Sequence, residues 1–190
     1  MAGHLGDQDR ARRGLFDPDA RVRAVALGAL VRLRALRLRD VLDGLEDPSP
    51  TVRRRAVEAG IGLSGTGSRS TLPAALLRAL DDPDPLVVDG ACWALGERRV
   101  HAAVPALAQT AIRHPDTRCR EAAVAALGAI GDRTGLSAVL QALEDKPTVR
   151  RRAVVALAAF SGPEVDTALE RSLKDRDWQV RQATEALLRD

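Results

Sequence analysis

An all-α solenoid of about six two-helix repeats is the fold class this sequence predicts, on three observations. A phrase close to Asp-Pro-Asp-x-x-Val-Arg-x-x-Ala-Ala-x-Ala-Leu-Gly occurs six times, at residues 17–30, 47–59, 82–96, 114–128, 144–157 and 175–188. A unit of that size cannot bury its own apolar face, so recurrence at this period implies a stacked array. Hydrophobic residues make up 45% of the 190 and are nearly all Ala, Leu and Val, with no Tyr, two Phe and two Trp, which suits close-packed helices better than strands. Finally, the apolar positions inside each phrase follow the 3.6-residue helical period.

Aligned on the valine of the phrase, the repeats start from Val22, Val52, Val87, Cys119, Val149 and Val180. Four residues on stand Ala26, Ala56, Ala91, Ala123, Ala153 and Thr184; seven on stand Ala29, Ala59, Ala94, Ala126, Ala156 and Leu187. These positions share one face, and their small side chains allow neighbouring helices to approach closely, so each phrase is the second helix of a repeat. First helices lie between them, on the stripes Leu38-Val41-Leu42-Leu45, Leu72-Leu76-Leu77-Leu80, Val104-Leu107-Ala108-Ala111, Leu136-Val139-Leu140-Leu143 and Val165-Ala168-Leu169-Leu173. The first repeat offers only a short polar candidate, about residues 5–16. Pro73, Pro105 and Pro163 fit the first turn of a helix, the Asp-Pro pairs at Asp17, Asp47 and Asp82 break the chain between helices, and Gly96, Gly131 and Gly162 suit helix ends. The chain reads as one domain, 1–190, with units at about 1–34, 35–63, 71–99, 102–131, 134–162 and 163–190. A glycine-rich stretch, Gly60 to Ser70, lengthens one interval and reads as a flexible loop on a rim.

Composition excludes several function classes. The 29 basic and 26 acidic residues nearly cancel, leaving +3, and only Lys146 and Lys174 are lysines. Cys92 and Cys119 form no C-x-x-C pair, so neither a zinc signature nor a disulfide framework is expected. No apolar stretch is long enough for a membrane helix, and Met1 to Arg13 lacks the apolar core of a signal peptide, so a cytoplasmic location is the expectation.

The phrase resembles HEAT repeats, in particular the short bacterial kind of the bilin-lyase-like branch. Asp17 to Arg23, the Val-Arg pairs at Val52, Val149 and Val180, and Ala-Leu-Gly at Ala94 to Gly96 and Ala126 to Gly128 carry the resemblance. It implies a right-handed solenoid in which a loop Asp and the Arg after the Val link successive repeats. Those roles fall to Asp17, Asp47, Asp82 and Asp175, and to Arg23, Arg53, Arg120, Arg150 and Arg181. Val88 stands where the third Arg belongs, and His114 and Glu144 where the fourth and fifth Asp belong, so weaker links are expected there.

Catalytic and cofactor signatures are weak. Gly60, Gly62 and Gly65 match G-x-G-x-x-G but follow a helix instead of a strand, and Gly67 is followed by Ser68 and Arg69 with no phosphate-binding lysine. His4, His101 and His114 lie at no helical spacing from each other or from the cysteines, so no metal site, cofactor or catalytic residue is expected. Cys119 occupies a valine position and reads as core. The runs Arg53-Arg54-Arg55 and Arg150-Arg151-Arg152 fan around their helices and form no stripe.

The sharper signal is the second-helix face turned away from the core, which in HEAT-like stacks lines the concave surface. Two residues after the valine it carries Ala24, Arg54, Asp89, Glu121, Arg151 and Gln182; six after, Gly28, Glu58, Trp93, Ala125, Val155 and Ala186. An outward tryptophan beside charges is a typical interface anchor. The expected function is therefore a non-catalytic, monomeric adaptor that binds a protein through Trp93, Asp89, Glu121, Arg54, Arg151 and Glu58. Two other readings stand beside it: a lyase-like enzyme or enzyme subunit with Cys92 as its thiol, and nucleic-acid binding through the arginines, which is not the expected partner class. Trp178 is expected to close the C-terminal core, where Glu185, Arg189 and Asp190 give the last helix the polar face of a cap.

Overall fold

The computed structural model describes residues 2–63 and 71–189, and among them there are twelve α-helices and no strand. The helices pair as α1 (Ala2–Gly14) with α2 (Ala20–Arg32), α3 (Leu38–Leu45) with α4 (Pro50–Ile61), and α5 (Thr71–Arg78) with α6 (Pro85–Glu97). Then follow α7 (Val104–Arg113) with α8 (Thr117–Ile130), α9 (Leu136–Ala142) with α10 (Pro147–Leu157), and α11 (Pro163–Ser172) with α12 (Trp178–Leu187). The fold class is the α-solenoid that the repeats predict. The Cα positions fall into two compact units, 1–94 and 95–190.

The loop inside each pair explains the Asp-Pro-Asp phrase. Its first Asp turns the chain by accepting the N–H two residues on: Asp17 from Asp19, Asp47 from Ser49, Asp82 from Asp84 and Asp175 from Asp177. Its second Asp opens the next helix, as Asp19 does by accepting from the Arg21 N–H, Asp84 from Leu86, Asp116 from Arg118 and Asp177 from Gln179. Proline follows at the first position of α4, α6 and α10, where its missing N–H has no helical partner to lose. His114 substitutes for the first Asp with its ring, Nδ1 accepting from the Asp116 N–H at 3.1 Å.

In the first unit α2 packs on α1 and α4, and α3 on α4; in the second, α8 packs on α7 and α10, and α10 on α12. The valine position is fully buried at Val87, Cys119, Val149 and Val180, as are Ala56, Ala91, Ala123 and Ala153 one turn on. Val22 departs from the pattern at 40% exposure. The helices approach closely enough to forbid side chains at two glycines: a Cβ on Gly96 would lie 2.9 Å from the Ala126 Cα, and one on Gly128 2.8 Å from the Ala156 Cα. Gly96 is thus a packing glycine inside α6 and not the helix end expected of it. Gly131 does end α8, at φ 68, whereas Gly162 stands before α11 at φ 124. Gly60 and Ile61 belong to the last turn of α4 and not to the expected loop, because Gly60 is buried against Val41 and Leu72; residues 64–70 lie outside the described residues. No helix among the described residues is long and apolar enough to cross a membrane.

Candidate functional site

Two sets of polar side chains are ordered by the repeats: a ladder between successive loops, and the outward faces of the second helices. In the ladder each arginine does two jobs. Arg23 Nη1 donates to the carbonyls of Asp17 and Pro18 at 2.9 and 3.0 Å, while Nε and Nη2 donate in parallel to Asp47 of the next repeat, both at 2.8 Å. Arg53 repeats this with Asp82 at 2.6 and 2.8 Å, and Arg150 with Asp175 at 2.8 Å twice. The fork geometry of guanidinium fits a carboxylate with two bonds, which fixes orientation as well as adding energy.

One link corrects the sequence reading. Glu144 stands at the aligned position, but the neighbouring Asp145 takes the role, because this loop is one residue shorter. Arg120 reaches it at 2.6 and 2.8 Å, so the link expected to be weak is complete. Val88 is fully buried and, with His114 in the following loop, supplies neither group of a link, as the sequence indicates.

The ladder shifts its carboxyls. The Arg23 hydrogen bond holds Asp47 below the usual carboxylate range against the opposing effect of burial; Arg120 does the same for Asp145 and Arg150 for Asp175. Burial pushes Asp82 up, but the hydrogen bonds from Arg53 and the Asp84 N–H bring it below the ordinary value. Asp132 is lowered to about 2 by the Thr134 hydroxyl, then by His101, whose Nδ1 lies 3.0 Å from it, and by the Thr134 N–H.

On the outward faces, Arg54 and Glu58 lie on α4 and Asp89 and Trp93 on α6 in the first unit, and Glu121 lies on α8 and Arg151 on α10 in the second. Trp93 is 54% exposed, with Asp89 one turn before it and Glu97 one turn after on the same face of α6. Glu97, ten residues after Val87, lies just beyond the outward positions two, six and nine residues after the valine that the sequence indicates. Several expected recognition charges are already engaged. Glu58 accepts from Arg55 Nη1 at 2.8 Å and lies 4.0 Å from Arg54 Nε. Glu121 meets Arg152 of the next repeat at 3.3 Å. Arg55 and Arg152 sit three residues after their valines, a position the sequence reading passed over. The small residue at Gly28 was the available signal, since the Arg55 guanidinium occupies the space its Cβ would need.

Elsewhere the expectations divide. Cys119 is buried in the core as expected, and Cys92 is fully buried as well. Trp178, expected to close the C-terminal core, is instead 60% exposed at the first position of α12, because nothing among the described residues stacks beyond that helix. Glu185 and Arg189 are exposed and lie 3.4 Å apart. No group of three or more His, Cys, Asp or Glu among the described residues is placed to hold a metal ion.

Comparisons with known proteins agree with this geometry. No curated protein matches the sequence. A designed armadillo repeat protein in complex with the peptide (KR)4 superposes with a TM-score of 0.68 at 20% identity, covering 96% of this chain and 98% of that one. The complex of CpcE and CpcF of phycocyanin lyase from a Nostoc species matches with a TM-score of 0.68 at 23% identity, over 95% of this chain and 75% of that chain. Computationally designed armadillo repeat proteins for modular peptide recognition give 0.68 at 19% identity, over 96% and 98%. At these identities the likeness is one of fold. The family model for HEAT repeats matches residues 38–112 and 104–189, the span that holds the complete ladder links from Arg53 to Asp175. The chain belongs to the HEAT-repeat family.

Proposed function

We propose that this protein is a non-catalytic adaptor that binds a protein partner along the outward faces of its second helices, the faces expected to line a concave surface. The observation that carries the reading is the exposure of Trp93 between Asp89 and Glu97. A large aromatic left half in water, on a helix whose Val87, Val88, Ala91 and Leu95 are fully buried, supplies the anchor around which hot spots form. Arg54 and Glu58 on α4 of the first unit, and Glu121 on α8 and Arg151 on α10 of the second, add charges that select a partner more than they hold it. Because the helices are already packed, little ordering entropy is lost on binding. The fold supports the reading too: designed relatives in this fold bind peptides, and CpcE and CpcF assemble with one another.

The enzyme-subunit reading rests on the phycocyanin lyase neighbour and on Cys92, whose complete burial denies a substrate access to the thiol. Against the nucleic-acid reading, Arg53, Arg120 and Arg150 are committed to the ladder, Arg55 to Glu58 and Arg152 to Glu121.

The test is co-purification from nuclease-treated lysate of the source cells, comparing wild type with Trp93→Ala. The adaptor reading predicts one retained protein whose affinity falls at least about tenfold in the variant, with the melting temperature nearly unchanged because the side chain is exposed. Retention of the same set by both baits would remove Trp93 from the interface.

A further inference from the structure

Every complete ladder link falls inside one of the two compact units. Arg23–Asp47 and Arg53–Asp82 lie within residues 1–94, and Arg120–Asp145 and Arg150–Asp175 within residues 95–190. The step that would carry the ladder from the first unit into the second is the one whose residues lack the chemistry. Val88 has no guanidinium to give, and His114 has no carboxylate to receive one. Val88 is instead fully buried. His114 serves its own loop, its Nδ1 accepting the Asp116 N–H at 3.1 Å and its carbonyl accepting from Arg120 Nη1 at 2.8 Å.

The sequence divides in the same way. Pro-Thr-Val-Arg-Arg-Arg-Ala-Val stands at Pro50 to Val57 and again, unchanged, at Pro147 to Val154, opening the middle second helix of each unit, α4 and α10. The two copies do the same work. Arg53 donates from Nη1 to the Asp47 carbonyl and through its fork to Asp82; Arg150 donates from Nη1 to the Asp145 carbonyl and through its fork to Asp175. The last arginine of each run meets a carboxylate of its own unit, Arg55 that of Glu58 and Arg152 that of Glu121. Each unit is thus a set of second helices tied by two links around the same central helix.

In a stacked array, cooperativity passes from repeat to repeat through what each repeat makes with the next. A two-bonded, charge-assisted link that is present at four steps and missing at the fifth makes that step the weakest for passing cooperativity on. We propose that the chain unfolds and refolds as two separate three-repeat modules, divided at the Val88–His114 step, so that one module loses structure while the other keeps its fold. A substitution then acts on the stability of its own module. The division is independent of the binding reading, since it rests on neither Trp93 nor the charges beside it.

Hydrogen exchange on the full chain, read by mass spectrometry on peptides from α2 and α4 and from α8 and α10, tests it. Arg53→Ala breaks a link of the first unit. It should lower protection in α2 and α4 at least about tenfold and leave α8 and α10 within about twofold of wild type. Arg150→Ala breaks a link of the second unit and should do the reverse. Helical circular dichroism checks that each variant is folded. Val88→Arg combined with His114→Asp supplies the missing pair, and in that folded background either penalty should reach both units. Loss of protection by the same factor in both units for Arg53→Ala or for Arg150→Ala would overturn the proposal. So would a folded Val88→Arg, His114→Asp chain in which each penalty still stops at one unit.

Discussion

At the scale of single residues, three helix ends solve one backbone problem with different side chains. Arg34 at φ 51 and Arg99 at φ 47 sit in the left-handed region, as Gly131 does at φ 68. The conformation is imposed by the hydrogen bonds that close the helices. The Ala35 N–H reaches the Leu30 carbonyl at 2.9 Å, and the Val100 N–H reaches that of Leu95 at 3.0 Å, the six-to-one bond of a Schellman end. A Cβ in this region meets the following carbonyl, which costs roughly 1–2 kcal/mol for an L-residue. Arg99→Gly and Arg34→Gly are therefore expected to raise stability by up to about 1 kcal/mol each, the relief being partly offset by the freer unfolded chain. Urea denaturation midpoints check this; a lower midpoint in both would mean that the arginine side chains hold these ends in place. Gly131 was legible in the sequence as a helix end because glycine is the usual occupant. Arg34 and Arg99 were not, because arginine carries no such signal.

Between elements, the interval from one second helix to the next is set by what stands nine residues after the valine. Gly96 and Gly128 let α8 and α10 lie against the backbone before them. Gly128→Ala puts a methyl 2.8 Å from both the Cα and the Cβ of Ala156, with backbone and not a pliable side chain in the way. The expected cost is about 1–3 kcal/mol, seen as a lower urea midpoint with unchanged m-value. The phrase Ala-Leu-Gly was legible as a repeat signature, but its glycine was misread as a stop, since periodicity tells which face a residue occupies and not how near the neighbouring backbone comes. The ladder was legible through the family resemblance wherever Asp stands five residues before the valine. Asp145, four before, was missed because alignment by position cannot see that a loop one residue shorter delivers the same carboxylate. Arg120→Ala and Arg53→Ala should accordingly each cost about 2 kcal/mol, because each strands a carboxylate and two loop carbonyls. Equal losses of stability in urea are the expected result; a much smaller loss for Arg120 would restore the weak link that the sequence predicted.

For the whole molecule, the repeated phrase made the architecture legible, since one pattern seen six times averages out the ambiguity of any single helix. The outward faces were legible in phase but not in pairing. Helical spacing put Trp93 outside the core, whereas the engagement of Glu58 by Arg55 and of Glu121 by Arg152 depends on distances between side chains that no period encodes. The same holds for Trp178, whose exposure is a property of what does not pack against it. The ladder acts on the molecule as a whole through its response to acid. Asp47, Asp82, Asp145 and Asp175 all have folded-state pKa values below the ordinary one, and Asp132 lies at about 2. Unfolded aspartates titrate near about 4, so below that pH the unfolded chain binds more protons than the folded one. The stability these groups supply is fully present above about pH 4 and is lost as pH falls through their folded values. Urea melts from pH 6 down to about 2 should therefore show a plateau followed by a steep decline. In Asp145→Asn the plateau should be lower and the decline shallower by up to about one proton, because one of the shifted carboxyls is gone. A wild-type decline that begins well above pH 4, or an Asp145→Asn slope equal to wild type, would mean that groups other than these forks govern the acid response.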